Sequence, residues 1–161
     1  MDALKLLTQQ HDEVDALMES LEKARKSDRK KALFAELADN LAAHATIEEK
    51  LFYPAVKAKQ TEDMVLESTE EHLAIKRVLA DMLTMDVDDE HFGAKLSVLQ
   101  EEVEHHAREE EEKHLFPMVR QQMAKEQREQ LGAKMEALFE QLLLQSPRKD
   151  VPAETDQAAR V

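Results

Sequence analysis

H-A-T-I-E-E-K-L-F-Y-P, residues 44 to 54, decides the fold, because it returns 62 residues later as H-A-R-E-E-E-E-K-H-L-F-P, residues 106 to 117. Upstream of these stretches, Leu33, Leu37 and Leu41 lead into His44 at steps of three and four, and Leu96, Leu99 and Val103 lead into His106, so each histidine ends the apolar stripe of a helix. Two further stretches echo one another. Q-H-D-E-V-D-A-L-M-E-S-L (10 to 21) and E-H-L-A-I-K-R-V-L-A-D-M-L (71 to 83) each place a histidine three, then six and seven, residues ahead of apolar positions. From His11 to His72 is 61 residues, from His44 to His106 is 62, and from Pro54 to Pro117 is 63. The chain therefore reads as two similar αα-hairpins packed into an all-α four-helix bundle. Four imidazoles and two carboxylates point into one interior, where they must pair or ligate, because such groups buried alone cost several kcal/mol.

The periodicity predicts helices over about residues 2 to 26, 29 to 59, 62 to 85 and from about 91 to 123. An additional C-terminal helix is expected over roughly 126 to 144, with Leu131, Met135, Leu138 and Leu142 on one side, packed across the outside or an end of the bundle. Thr61 followed by Glu62 and Asp63 reads as an N-cap with an acidic first turn. The expected organisation is a bundle domain over 1–124, the extra helix over 125–145, and a disordered tail over 146–161, since S-P-R-K-D-V-P-A-E-T-D-Q-A-A-R-V holds two prolines and no period.

Composition agrees: two glycines, 35% charged residues and 161 residues in all suit one helical domain with a genuine core. The absence of cysteine excludes disulfides and thiolate ligands, so any metal takes nitrogen and oxygen donors. Apolar runs are too short to span a bilayer, and the start M-D-A-L-K-L-L-T-Q-Q lacks the features of a signal peptide, so a cytoplasmic location is expected. A formal charge of −13 argues against nucleic acid and anionic membrane as partners. No feature names a protein partner.

His44 and Glu48, four apart, lie about 40° from eclipsed on one helix face and can address one metal or two adjacent ones. A carboxylate can bridge two cations while imidazoles fill terminal positions, and the repeat supplies both types twice, which points to a two-metal site. Helix bundles host such carboxylate centres. Iron or manganese suits the donor types, and zinc is compatible with them. The second motif is irregular. Counting back six from each proline gives Glu48 and Glu111, yet His106 and Glu111 are five apart, about 140° on an ideal helix. The stripe through His106 projects forward to Glu110, whereas Leu115 and Val119 project back to Glu111. A one-residue π-bulge between 106 and 111 reconciles the two registers and favours Glu111 as the second bridging carboxylate, with Glu110 the alternative. His91, His105 and His114 are expected in solvent, although His105 with Glu109 is a substitute pair for His106.

Over about residues 4 to 123, the order H…H-x-x-x-E…H…H-x-x-x-x-E with both E-K-x-x-x-P endings resembles the hemerythrin-like (HHE cation-binding) family. The resemblance implies an up-down-up-down bundle (hemerythrin-like) with a non-heme centre of two iron ions and a bridging oxo or hydroxo group. His11 and His44 would hold one iron, His72 and His106 the other, and Glu48 and Glu111 would bridge. Oxygen-carrying members have a further histidine where this chain has Lys76, so one iron is expected to keep a position open to O₂, peroxide or nitric oxide, with Lys76 either bonding a bound anion or reaching to the surface. The function implied by the resemblance is to bind or react with a small oxidant. A sensing or iron-handling module without turnover is the other expectation, and no residue is marked as catalytic.

Overall fold

The computed structural model describes residues 1 to 161 and is helical throughout. In chain order run α1 (Ala3–Lys23), α2 (Ser27–Ile47), a π-helical stretch (Glu48–Phe52) continuing into α3 (Tyr53–Val56), α4 (Glu62–Leu83) and α5 (Glu90–Glu104). A second π-helical stretch (His105–Leu115) continues into α6 (Phe116–Gln122), followed by α7 (Lys125–Leu143) and a 3-10 segment (Pro147–Glu154). Four rods, α1, α2 to α3, α4, and α5 to α6, make the expected up-down-up-down bundle. No helix is long and apolar enough to cross a membrane.

The helix starts follow their capping chemistry. Asp2 accepts from the Leu4 N–H at 2.8 Å and Asp89 from the His91 N–H at 2.7 Å, each satisfying a donor that the first turn leaves free. Thr61 begins α4 without a side-chain cap; its hydroxyl instead donates to the Val56 carbonyl at 2.7 Å, closing the turn between the second and third rods.

Each π-helical stretch stops two residues before a proline, which lies in the first turn of the α-helix that follows. Pro54 and Pro117 have no N–H to give to the fourth carbonyl back. The residue before each takes the longer bond: Tyr53 N–H donates to the Glu48 carbonyl and Phe116 N–H to the Glu111 carbonyl, both five residues back. The bulge expected between 106 and 111 is thus part of an 11-residue stretch, and its 5-residue counterpart after His44 has no register conflict to announce it.

Two apolar clusters fill the bundle. One is built around Leu37, Leu79, Met82 and Leu99; the other around Leu7, Ile47, Phe52, Phe116 and Met135. The six residues singled out in the sequence lie in a polar layer among these clusters, all of them buried. Helix α7 covers one end, where Met135 is fully buried and Arg128 donates to Asp2 at 2.7 Å. Gly132 meets the chain start so closely that a Cβ there would stand 2.0 Å from the Met1 carbonyl oxygen, which requires glycine.

The expectation of a disordered tail over 146–161 is corrected. Ser146 adopts a left-handed backbone (φ 52°) that turns the chain back onto the bundle, and the 3-10 segment then lies against α2 and α4. Val151 is 2% exposed, and Arg148 binds Asp39 through both its backbone N–H (3.0 Å) and its guanidinium (2.6 Å). One buried valine and a few ion pairs leave no periodic trace, and a short 3-10 turn has no amphipathic period to display.

Candidate metal centre

Each rod delivers one histidine to the layer, from mid-α1 (His11), the last turn of α2 (His44), mid-α4 (His72) and the start of the second π-helical stretch (His106). The carboxylates come from the two π-helical stretches. Glu48 stands with Oε1 3.2 Å from His44 Nε2 and Oε2 2.9 Å from His72 Nε2 and 3.9 Å from His106 Nε2, so its two oxygens face the two halves of the bundle. Glu111 Oε1 lies 2.9 Å from His106 Nε2 and 3.6 Å from His11 Nε2, and it too reaches both halves. Ligand atoms of His11, His44, Glu48 and Glu111 all lie within 4.8 Å of one another, as do those of Glu48, His72 and His106.

Of the two sequence alternatives, the fold brings Glu111 to this layer, fully buried, while Glu110 sits at the rim with its carboxylate 3.6 Å from the exposed His105. His91, His105 and His114 are solvent-exposed, as expected.

The imidazoles are oriented from behind. His11 Nδ1–H donates to Glu112 Oε1 at 2.7 Å, His44 Nδ1–H to Gln10 Oε1 at 2.7 Å and His106 Nδ1–H to Glu71 Oε1 at 2.9 Å, and His72 Nδ1 faces Glu49 Oε2 at 3.5 Å. The Glu112, Gln10 and Glu71 oxygens only accept, so the neutral rings of His11, His44 and His106 carry their proton on Nδ1 and aim the Nε2 lone pair inward, while His72 Nδ1 makes no hydrogen bond. Sequence reasoning names none of these four partners, yet the repeat encodes them. Gln10 and Glu71 immediately precede His11 and His72, and Glu49 and Glu112 immediately follow Glu48 and Glu111. Each partner serves a histidine of the neighbouring rod, a relation that a search along one helix face does not find.

Tyr53 also escapes a reading of the sequence. Fully buried, its phenol oxygen lies 3.2 Å from His72 Nε2, 3.4 Å from His106 Nε2, 3.4 Å from Glu48 Oε2 and 3.5 Å from Glu111 Oε2. Burial, then the Glu111 and Glu48 charges, push its pKa well above the usual phenol value, so at neutral pH it is a hydrogen-bond donor. Lys76 follows neither expected course. Its ammonium is held by both oxygens of Glu49 (2.6 and 2.9 Å) and by Glu154 (3.0 Å), so it supports the carboxylate behind His72.

In the metal-free chain the layer settles as ion pairs. Burial opposes a charged His11, but the Glu111 and Glu112 carboxylates outweigh it and raise its pKa to about 9. His72 and His106 are raised against burial in the same way, by Glu48 with Glu49 and by Glu111, respectively. Glu48 is held well below the carboxylate range by His44, His106 and His72, which outweigh its complete burial. Pairing still leaves orphans: besides Gln10 Nε2 and His72 Nδ1, the His11 Nε2, His44 Nε2, Glu48 Oε1 and Glu111 Oε1 atoms are buried without a hydrogen-bond partner, and these last four belong to one group of candidate ligands. Imidazoles and carboxylates converging with their hydrogen bonds unmet are the arrangement that a cation satisfies once the rings give up their protons.

Residues 2–119 match the family profile of the hemerythrin HHE cation binding domain. The chain belongs to that family. A solved hemerythrin HHE cation binding domain-containing protein from Mycobacterium kansasii superimposes with a TM-score of 0.78 at 25% identity, covering 99% of this chain and 95% of that one. A DNA nickase from Nostoc sp. is 26% identical over 137 residues, 85% of this chain. This HHE chain spans 39% of the length of that relative.

Proposed function

We propose that this HHE domain holds two iron ions and binds or reacts with a small oxidant, O₂, peroxide or nitric oxide. The observation that carries the reading is the inward convergence of four imidazole Nε2 atoms and two carboxylates, with His11, His44 and His106 each hydrogen-bonded to an oxygen at Nδ1. Such backing raises ligand basicity and fixes ring orientation, and it accompanies metal-ligating histidines almost without exception. His11 and His44 would hold one ion, His72 and His106 the other, and Glu48 and Glu111 would span both. Iron is favoured by the nitrogen and oxygen donors and the absence of thiolate. When bound, it supplies reversible redox and ligand-binding chemistry.

The chain's own residues prepare the rest. Tyr53 places an O–H among the donors on the His72 and His106 side. On the histidine side, away from the carboxylates, lies a cavity of about 40 Å³, walled by Val14, Leu41, Ile75, Leu79 and Val103. One water needs roughly 10 to 15 Å³ on this measure, so the space suits a ligand of about two or three heavy atoms. The six residues of the layer are all buried, which limits side reactions with bulk water. The nicking activity of the longer Nostoc relative is no part of this reading, since a charge of −13 repels a phosphate backbone.

Anaerobic loading with ferrous iron, metal analysis, and optical spectra before and after O₂ or peroxide test the proposal. About two irons per chain and an oxidant-dependent absorption change are expected. An iron content near zero, or near one, overturns it.

A further inference from the structure

Beside the four-histidine cavity, the α1/α5 face is tied by the bundle's own side chains. Arg108 there binds Asp12 (2.7 Å) and Asp15 (2.6 Å) across the gap, and Glu112 (2.6 Å) on its own rod. On the α2/α4 face, the C-terminal segment packs over the rods. Val151 joins the helix residues as a lining side chain of the cavity. Outside it, Thr46, Glu49, Pro147, Asp150 and Glu154 line a surface cleft of about 380 Å³. Glu49 and Glu154 belong to this cleft and Lys76 to the inner cavity, so the Lys76–Glu49–Glu154 ion triad stands between solvent and the histidines.

We propose that small ligands enter by this α2/α4 face, with Val151 as the residue that limits their size and the Lys76–Glu154 pair as the latch over the entrance. The proposal deepens the di-metal reading and rests on it for the identity of the ligand, a neutral or singly charged molecule of about two or three heavy atoms. The latch is suited to opening. Glu154 is 43% exposed, and its pair with Lys76 is a contact that solvent can break at little cost, whereas Glu49 stays on Lys76 with two bonds. Val151 moves with the same short segment, which is tied to the bundle beyond Glu154 by Arg77 on the Thr155 and Asp156 carbonyls and by Lys57 on the Val161 carbonyl. Those outer ties let the segment lift without leaving the surface.

The test uses the full chain with Glu154→Gln, Val151→Ala and, on the opposite face, Arg108→Gln. In the metal-free protein, deuterium exchange at the ring carbon of each histidine, read by mass spectrometry in D₂O, reports water access, with His91, His105 and His114 as exposed references on the same chain. Glu154→Gln and Val151→Ala should each speed exchange at His11, His44, His72 and His106 several-fold with the references unchanged. In the iron-loaded protein, both should raise the azide binding rate about tenfold at equal iron content. Exchange and azide rates that match the parent in both variants, or that rise only in Arg108→Gln, overturn the proposal. If the histidines exchange faster but iron never binds, the entrance stands and the di-metal reading falls; if iron binds and neither rate moves, the reverse holds.

Discussion

Tyr53 and Phe116 occupy the same place in the two halves of the repeat, each directly ahead of a proline, and only Tyr53 carries an oxygen. Phe116 stacks on His11 with ring centroids 6.3 Å apart, while the Tyr53 ring tilts over His72 at 5.4 Å. The centre is therefore built on near-twofold symmetry and departs from it at the His72 and His106 side, where a phenol joins the donors.

Tyr53→Phe makes the two halves alike. Since the phenol stays protonated at neutral pH, its loss should cost about 1 kcal/mol in the metal-free protein, the worth of a buried hydrogen bond, and leave the iron count at two. Thermal melts and metal analysis check this. An iron count falling to one per chain identifies the phenol as a ligand and contradicts the donor assignment.

Glu111→Ala should lower iron content far more than Glu110→Ala, because the first removes a carboxylate facing both halves and the second only a rim contact to His105. The ranking is read by metal analysis after identical loading. The reverse order means that the π-helical register is not the one that binds metal.

Glu71→Ala and Gln10→Ala leave every inward donor in place and remove only the oxygen behind His106 or His44. Each should weaken metal affinity by about 10- to 100-fold. Competition with a chelator of known affinity measures it, and an unchanged affinity in both shows that ring orientation is set by packing alone.

The metal-free and metal-loaded proteins should respond to pH with opposite signs. A histidine pKa raised from 6.5 to about 9, as for His11, gives stability that is complete below pH 6.5 and lost as pH climbs through 9; His72 and His106 act in the same direction. The lowered pKa of Glu48 gives stability present above about pH 4.5 and lost as pH falls towards its native value. Metal-free melting temperature should then fall between pH 6.5 and 9, while the increment on adding metal grows, because the ligands bind deprotonated. A metal-free melting temperature that rises across this window contradicts the ion-paired layer.

Removing residues 146–161 takes away Val151, whose burial is worth about 1.5 to 3 kcal/mol, together with the Arg148–Asp39 pair. At about 2 to 4 °C per kcal/mol for a chain of this size, the melting temperature should drop by roughly 5 °C or more. An unchanged value means that the segment contributes nothing to the fold.

Much of this arrangement is legible in the chain. The stripes ending at His44 and His106 and the matched prolines lead to four rods and to His11, His44, Glu48, His72, His106 and Glu111, which the fold brings into one layer. The outer partners are hidden because Gln10, Glu49, Glu71 and Glu112 act across rods, and pairing between rods has no period along one helix. Tyr53 reads as core because it precedes a proline among apolar residues, and its oxygen matters only once the halves face each other. Lys76 invites comparison with the histidine it replaces, when its partners, Glu49 and Glu154, lie 27 and 78 positions away.

The two copies of the repeat are not the same length. Ten residues separate His44 from Pro54 and eleven separate His106 from Pro117. An insertion is ordinarily absorbed by a loop, because one added inside a helix rotates everything beyond it by about 100°. Here the extra residue falls within a rod, and the wider turns of His105–Leu115 take up the rotation, so Phe116 returns to the register that Tyr53 holds in the other copy. The longer copy thus holds one more residue beside its most constrained side chains without losing their alignment. Deleting one residue from Glu109–Glu110 asks whether the rod keeps that alignment when it no longer needs the wider turns.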